Sequence, residues 1–195
     1  LGLKFSAAGA ALVTPIVDSA RRWAEAGAEM AHMSERTGVS VEALSALGYV
    51  AERSGTSMEA VEIGLKRMQR LLVEAALGSQ TAKESLAMLG LTMDELNGLR
   101  PEEQFKLIAD RLSRVENPAV RAAAAISIFG RSGTQLLPMM TGGAAGIDKL
   151  TEHAKSLGLV MSGESAEAAR RLEDTLHDLW RVLKKCYNTI GAAVA

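Results

Sequence analysis

The residues best suited to chemistry are histidines and carboxylates, and they come closest together near the C-terminal end. His177 is flanked there by Glu173, Asp174 and Asp178, which together could offer nitrogen and oxygen ligands to a metal ion. Zinc sites, however, need close ligand pairs, such as residues i and i+4 on one helix face. The other histidines are distant in the sequence: His32 and His153. We therefore expect a solvated polar face around His177 and no metal ligand.

Two glycine-rich stretches invite comparison with phosphate-binding loops. They are 129–135 (FGRSGTQ) and 141–146 (TGGAAG). A phosphate-binding loop follows a strand and ends in a Lys-Ser or Lys-Thr pair before a helix. Neither stretch has a strand pattern before it, and neither has such a pair after it. We therefore expect no nucleotide and no other cofactor at either place.

Nucleophilic and paired acidic side chains have simpler structural explanations. Cys186 lies on the apolar stripe of a predicted helix, where a free cysteine usually serves as a small core residue. No serine lies in the strand-turn-helix elbow of a hydrolase. Two carboxylate pairs, Glu102 with Glu103 and Glu164 with Glu167, fall in predicted first turns, where acids oppose the helix dipole. We therefore predict no catalytic residue and a protein that is not an enzyme.

Composition limits the remaining function classes. The chain of 195 residues has 48% hydrophobic and 23% charged residues, which is typical of a folded protein. Lys and Arg number 22 against 23 Asp and Glu, so no basic excess is available for a phosphate backbone. Specific nucleic-acid binding is therefore not expected. Aromatic residues make up only 4%, which favours helices packed through aliphatic and Met side chains.

One local pattern recurs along the chain: a Ser, Thr or Asn, an acidic first turn, an apolar stripe at helical spacing, and a Gly. The first side chain accepts a hydrogen bond from a free backbone N–H, the acids oppose the dipole, and Gly permits a left-handed exit. The predicted helix caps are Thr14, Ser40, Thr56, Thr81, Thr92, Asn117 and Ser162. Because no run of β-branched residues alternates with period two, we predict an all-α fold without a sheet.

The spacing of these caps predicts the domain organisation. Thr81 and Thr92 lie only eleven residues apart, and helices that short are stable only when they pack on neighbours. We therefore expect a compact array of short capped helices flanked by longer N- and C-terminal helices. The predicted parts are an apolar segment with a long helix over 1–36, a compact domain over 37–140, a Gly-rich linker over 141–146, and C-terminal helices over 147–195.

The last predicted helix carries a stripe of the kind found in coiled coils. Its apolar residues mix three- and four-residue steps, and they include Leu172, Leu176, Leu179 and Leu183. The stripe predicts self-association with further copies of the chain. Packing against the chain's own helices is the alternative interpretation.

Both ends of the chain are apolar and rich in Gly and Ala. The first stretch, 1–17, is short for a membrane span, which needs about 20 apolar residues, and a signal peptide is an alternative interpretation of it. Because residue 1 is Leu, we expect a piece of a longer protein. The last stretch, 189–195, would then lead into a hydrophobic segment.

Several blocks of the sequence resemble the conserved helical region of phage and prophage tail tape-measure proteins. The most specific blocks are 34–45 (SERTGVSVEALS), 101–112 (PEEQFKLIADRL) and 128–138 (IFGRSGTQLLP). With GGAAGIDKL and LEDTLHDLWRVLKK, the resemblance covers roughly 31–185. Arg100 departs from it, because a Ser or similar cap is expected before Pro101.

The resemblance implies a structural role in a phage-type tail. Tape-measure proteins occupy the lumen of the tail tube, template its length, and leave with the DNA at infection. The partners implied are tail-tube and tail-tip or baseplate proteins, further copies of the chain (a trimer among the options), and the host membrane through flanking apolar segments. The implied location is the virion, with assembly in the host cytoplasm.

Two other functions remain open from the sequence. One is a soluble helical protein–protein interaction module outside any particle, which the same capped helices would serve. The other is a segment associated with a cell-wall hydrolase, because some relatives in the tape-measure family carry peptidoglycan-cleaving domains.

Overall fold

The computed structural model describes the backbone of residues 2–194, together with the side chains of 18–182, 184 and 185. The protein is all-α, as predicted: 81% of it is helical, and the described residues contain no strand. The helices are α1 Gly2–Thr37, α2 Val41–Arg53, α3 Met58–Ala76, α4 Gln80–Ala87, α5 Met93–Leu96, α6 Pro101–Ser113, α7 Pro118–Phe129, α8 Gly133–Met140, α9 Gly143–Ser156 and α10 Gly163–Val194. A 3₁₀ turn, Gly130–Ser132, joins α7 to α8.

The chain divides into two units, of which the larger spans 33–161. Its core is built from apolar stripes of α2, α3, α6, α7, α8 and α9. Phe105 of α6 and Phe129 of α7 are fully buried, and their rings meet edge to face with centroids 5.7 Å apart. Aliphatic and Met side chains fill the rest of the core, as the shortage of aromatic residues predicts.

The smaller unit contains 1–32 and 162–195, so it consists of most of α1 together with α10. These two long helices pack together. Among the described side chains of this unit, those that are buried are all small: Ala24, Gly27, Ala28 and Ala31 on α1, and Ala166 and Ala169 on α10. Small side chains at this spacing let two helix backbones approach closely.

Four predicted caps accept or exchange the expected hydrogen bonds at helix starts. Ser40 Oγ accepts from the N–H of Ala43 at 3.2 Å, and Asn117 Oδ1 accepts from the N–H groups of two residues of α7. Thr92 forms a capping box with Glu95, whose carboxylate accepts from the Thr92 N–H at 3.0 Å. In the smaller unit, Ser162 Oγ accepts from an N–H in the first turn of α10 at 3.1 Å.

At two helix starts, a nearby serine is the cap in place of the predicted threonine. The N–H of Thr56 bonds back to α2, and its hydroxyl donates to the Gln135 carbonyl at 3.0 Å. Ser57 therefore caps α3, accepting from the N–H of Ala60 at 3.2 Å. Similarly, Ser79 caps α4, whereas Thr81 lies inside that helix.

Thr14 does not begin a helix, because α1 runs continuously from Gly2 through this position. The Thr-Pro pair predicts a start, since Pro15 suits a first helical turn. The preceding stretch is rich in Ala, which has the highest helix propensity, and this extends the helix toward the N-terminus. The side chains of 1–17 lie outside the described residues, so the correction concerns the backbone alone.

The Gly-rich stretch 141–146 is the start of a helix and not a linker, since α9 begins at Gly143. Gly143 is buried against α6 with a φ of +62°, and a Cβ there would lie 2.8 Å from the hydroxyl of Ser113. Lys106 of α6 also pairs with Asp148 of α9 at 2.7 Å. Glycine thus permits a close helix contact, and α9 belongs to unit 33–161 rather than to the predicted C-terminal part.

Candidate interaction surfaces

The three histidines lie on three different helices, and no group of three or more His, Cys, Asp or Glu side chains in the described part of the chain is placed to hold a metal ion. His153 of α9 is exposed and its ring lies 6.1 Å from that of Tyr49. His177 and the neighbouring Asp178 are exposed on α10, and the Asp178 carboxylate contacts Arg181 at 3.6 Å. The side chain of Cys186 lies outside the described residues.

The stretch 129–135 forms the tight junction between α7 and α8. Gly130 takes a φ of +67°, and the buried hydroxyl of Ser132 donates to the Phe129 carbonyl at 3.0 Å. A Cβ at Gly133 would lie 2.3 Å from the carbonyl oxygen of Ala125. The two glycines therefore serve chain reversal and close backbone packing, and the backbone here is not an open cradle for phosphate.

The paired carboxylates of α6 belong to the start of that helix. The Glu103 carboxylate accepts from the side chain of Arg100 at 3.0 Å and from its backbone N–H at 2.9 Å. These bonds, with that of the guanidinium first, lower the pKa of Glu103. Glu102 is nearly buried and pairs with the same guanidinium at 3.1 Å. Arg100 thus occupies the N-cap position but does not act as a short polar cap, because its guanidinium only donates, to the two carboxylates of the first turn.

The second predicted carboxylate pair lies at the start of α10. Glu164 is exposed, and Glu167 pairs with Arg170 at 3.1 Å. The pair lies within one helical turn, as expected for acids near a helix start.

Glu62 of α3 is a more unusual carboxylate, and its contact with the distant Arg36 could not be predicted from local spacing. Its side chain is 14% exposed and contacts Lys66 Nζ at 2.6 Å and Arg36 Nε at 2.8 Å. Partial burial opposes the charge, but the hydrogen bonds from Lys66 and then Arg36 outweigh it, so the pKa of Glu62 is lowered. Arg36 closes α1, and the pair therefore ties the end of α1 to α3 within the larger unit.

An open groove of about 510 Å³ lies among the end of α1, α3, α5 and α6. Its walls include Leu72, Val73 and Ala76 of α3 and Met93 of α5. The amide of Gln104 in its wall donates to the Leu96 carbonyl at 3.0 Å. Two further polar side chains line the groove, and both are already bound: the Gln69 amide donates to the Thr37 carbonyl, and Arg36 pairs with Glu62. Because these polar groups already have partners, the groove suits an apolar side chain better than a polar small molecule.

A second groove, of about 400 Å³, lies between α6, α7 and α8. Leu112, Leu137 and Pro138 line it. The guanidinium of Arg121 at its edge donates to the Val115 carbonyl at 3.3 Å. No carboxylate is among the residues that line this groove.

Ser45 fixes the segment that follows α9, a feature that sequence reasoning missed. Its hydroxyl accepts from the N–H of Met161 at 2.9 Å and donates to the Leu159 carbonyl at 3.4 Å. A serine within a helix carries no signal for a contact more than a hundred residues away.

The predicted self-association stripe of α10 is partly exposed. Leu172 and Leu176 are half-buried, and Leu179 is 53% exposed. The side chain of Leu183 lies outside the described residues. Two further apolar side chains are more exposed still: Trp180 at 64% and Val182 at 57%. Exposed apolar groups of this size at adjacent positions are typical of a surface that contacts another molecule.

Comparison of the chain with protein-family models, with curated proteins and with solved structures found no significant match. Among the described helices, none is long and apolar enough to span a lipid bilayer.

Proposed function

We propose that this chain is a segment of a phage-type tail tape-measure protein, a structural component that sets tail-tube length and leaves the tail with the DNA. The observation that carries the proposal is the sequence of blocks at 34–45, 101–112 and 128–138, which resemble that family in the same order. In this proposal the chain acts by helix packing and is not an enzyme.

The placement of these blocks supports the proposal. The block 101–112 supplies most of α6, including the fully buried Phe105. The block 128–138 supplies the junction of α7 and α8, including Phe129, whose ring meets that of Phe105. The resembling residues are therefore those that hold the unit 33–161 together, as expected if they specify a shared fold.

Helix α10 is the part best suited to a rod-like role in the tail lumen. It spans 32 residues, which corresponds to about 48 Å at 1.5 Å per residue. Its exposed Leu179, Trp180 and Val182 would be covered by further copies of the chain, a trimer among the options, or by tail-tube and tail-tip proteins. Contact with the host membrane through the apolar ends belongs to the same proposal.

A soluble interaction module outside any particle is the main competing function. The two open apolar grooves of unit 33–161 favour it, because each could receive an apolar side chain from a partner. A cell-wall hydrolase segment is the third candidate, and a peptidoglycan zymogram without clearing would dismiss it.

Quantitative mass spectrometry of purified particles tests the proposal. We expect peptides of this chain in intact tails at a fixed ratio to the tube protein, and their depletion from tails that have released DNA. The tube protein itself is the internal control, because it stays in the emptied tail. Absence of the chain from intact tails would contradict the proposal, and stable soluble monomers in the host would favour the competing module.

A further inference from the structure

Helix α7 is mostly apolar, and its apolar residues include those on the side that faces solvent. Its buried side comprises Ala124, Ala125, Ile128 and Phe129. The outward positions form what we call the α7 face: Ala119, Val120, Ala123 and Ile126, all exposed. Val120 and Ile126 are 44% and 48% exposed. An amphipathic helix normally places charged residues outward, and a helix that is hydrophobic all round is normally buried.

The one charged residue of α7 does not cross this face. Arg121 is half-buried, and its guanidinium donates to the Val115 carbonyl just before the helix. The α7 face is therefore uncharged along its length, with small side chains at its centre. Two helices can approach closely over such a centre, because no long side chain separates their backbones.

We propose that the α7 face binds the α7 face of a second copy of this chain, with the two helices antiparallel about a two-fold axis near Ala123. At 100° per residue, Ile126 lies toward one edge of the face and Val120 toward the other. Antiparallel pairing sets each Ile126 against Ala119 of the second copy. It also sets each Val120 beside Ser127 of the second copy, so large side chains meet small ones at both ends.

Charge at the two ends of α7 selects the second copy as the occupant and the antiparallel orientation. Glu116 and Arg131 are both exposed, and they lie seven residues before and eight residues after Ala123. Glu116 lies just before α7 and Arg131 just after it, so antiparallel pairing brings the acidic end of each α7 near the basic end of the other. Parallel pairing would oppose like charges at both ends, which disfavours it.

The contact is small, since one face of a 12-residue helix covers less than the roughly 800 Å² per partner of a standard interface. We expect a weak dimer that strengthens where copies are held close together, because tethering raises the effective concentration. The inference does not depend on the tail function, and it involves none of the residues of the α10 stripe.

Sedimentation velocity over a range of concentrations tests the charge pairing. Each single reversal, Glu116→Arg or Arg131→Glu, should raise the dissociation constant of the α7 contact about tenfold. The double reversal should restore the wild-type value, because it rebuilds both pairs. Single reversals without effect, or a double reversal that is no better than the singles, would overturn the proposal.

Two further substitutions test the centre of the face. Ala123→Glu places two carboxylates at the two-fold axis and should abolish the contact, whereas Ala145→Glu, at an exposed position of α9, should leave it unchanged. In a Cys186→Ser background, Ala123→Cys should give a dimer with a short bis-maleimide, and Ala145→Cys should not. Equal cross-linking at both positions, or none at position 123, would overturn the proposal whether or not Ala123→Glu folds.

Discussion

Single glycines determine how closely helices approach within the unit 33–161. At Gly64 an added Cβ would lie 2.5 Å from a methyl group of Leu136, which is the end of a side chain and can move. At Gly133 the obstacle is the backbone of Ala125, which cannot move without displacing α7. An added side chain should therefore be tolerated less well at Gly133 than at Gly64.

We predict that Gly133→Ala lowers the free energy of unfolding by about 1–3 kcal/mol, the usual cost of overpacking. The matched control is Gly146→Ala in α9, where nothing lies within 4 Å of the added Cβ. That change should stabilise by about 0.5–1 kcal/mol, because Ala has the higher helix propensity. Urea denaturation measures both, and equal effects of the two variants would contradict the proposed contact.

The ion pairs of Glu62 lead us to predict that its contribution to stability depends on pH. Its pKa is lowered in the folded protein, so the carboxylate contributes stability above its unfolded pKa of about 4.3. That contribution disappears as pH falls through the lower, folded pKa. Glu62→Gln should therefore cost about 1 kcal/mol at neutral pH and progressively less toward acid.

The control for this measurement is Glu74→Gln, at an exposed position of the same helix. It should change stability little at any pH. Thermal denaturation of both variants from neutral to acid pH gives the comparison. A cost of Glu62→Gln that stays constant with pH would show that the carboxylate's charge does not matter.

At the scale of elements, sequence fixes helix starts well where one side chain alone can reach the first turn. Ser40 and Asn117 are such cases, because capping is a local interaction. Prediction of the cap fails where two neighbouring hydroxyls could each serve. The Thr56 hydroxyl instead donates to the distant Gln135 carbonyl, so Ser57 is the cap. Which hydroxyl is diverted depends on tertiary contacts that no local pattern encodes.

The linker prediction failed for a related reason. Three glycines over 141–146 indicate a flexible backbone when only neighbours in sequence are considered. In the fold, Gly143 lies against α6 beside Asp110 and Ser113. The exposed face of α7 could not be predicted either. The apolar composition of α7 is visible in the sequence, but which of its sides stays exposed is decided by the helices packed on it, α3, α4, α6 and α8.

Ser45→Ala tests the attachment of the segment after α9 to α2. The substitution removes the acceptor of the Met161 N–H, so we expect faster amide hydrogen exchange at Met161 and a loss of about 1 kcal/mol. Ser54→Ala is the control, since the Ser54 hydroxyl makes no hydrogen bond among the described residues. Unchanged exchange at Met161 would mean that Ser45 does not hold the segment.

At the scale of the whole molecule, the chain combines a unit of short packed helices with a unit of two long helices. Short helices such as α5, with four residues, depend on tertiary packing and cannot form an extended rod. The long α10 can. If the chain is a tape-measure segment, length should therefore be encoded by α10 and not by the unit 33–161.

Tail length after insertion into α10 tests this most directly. Four extra copies of Leu172–Asp178 keep the seven-residue spacing and add about 42 Å of helix at 1.5 Å per residue. Electron microscopy of particles that carry this insertion should show tails longer by about that amount, whereas an equally long Gly-Ser insertion between α9 and α10 should not produce the same increment. Tails of unchanged length with the helical insertion would contradict a role for this chain in measuring the tail.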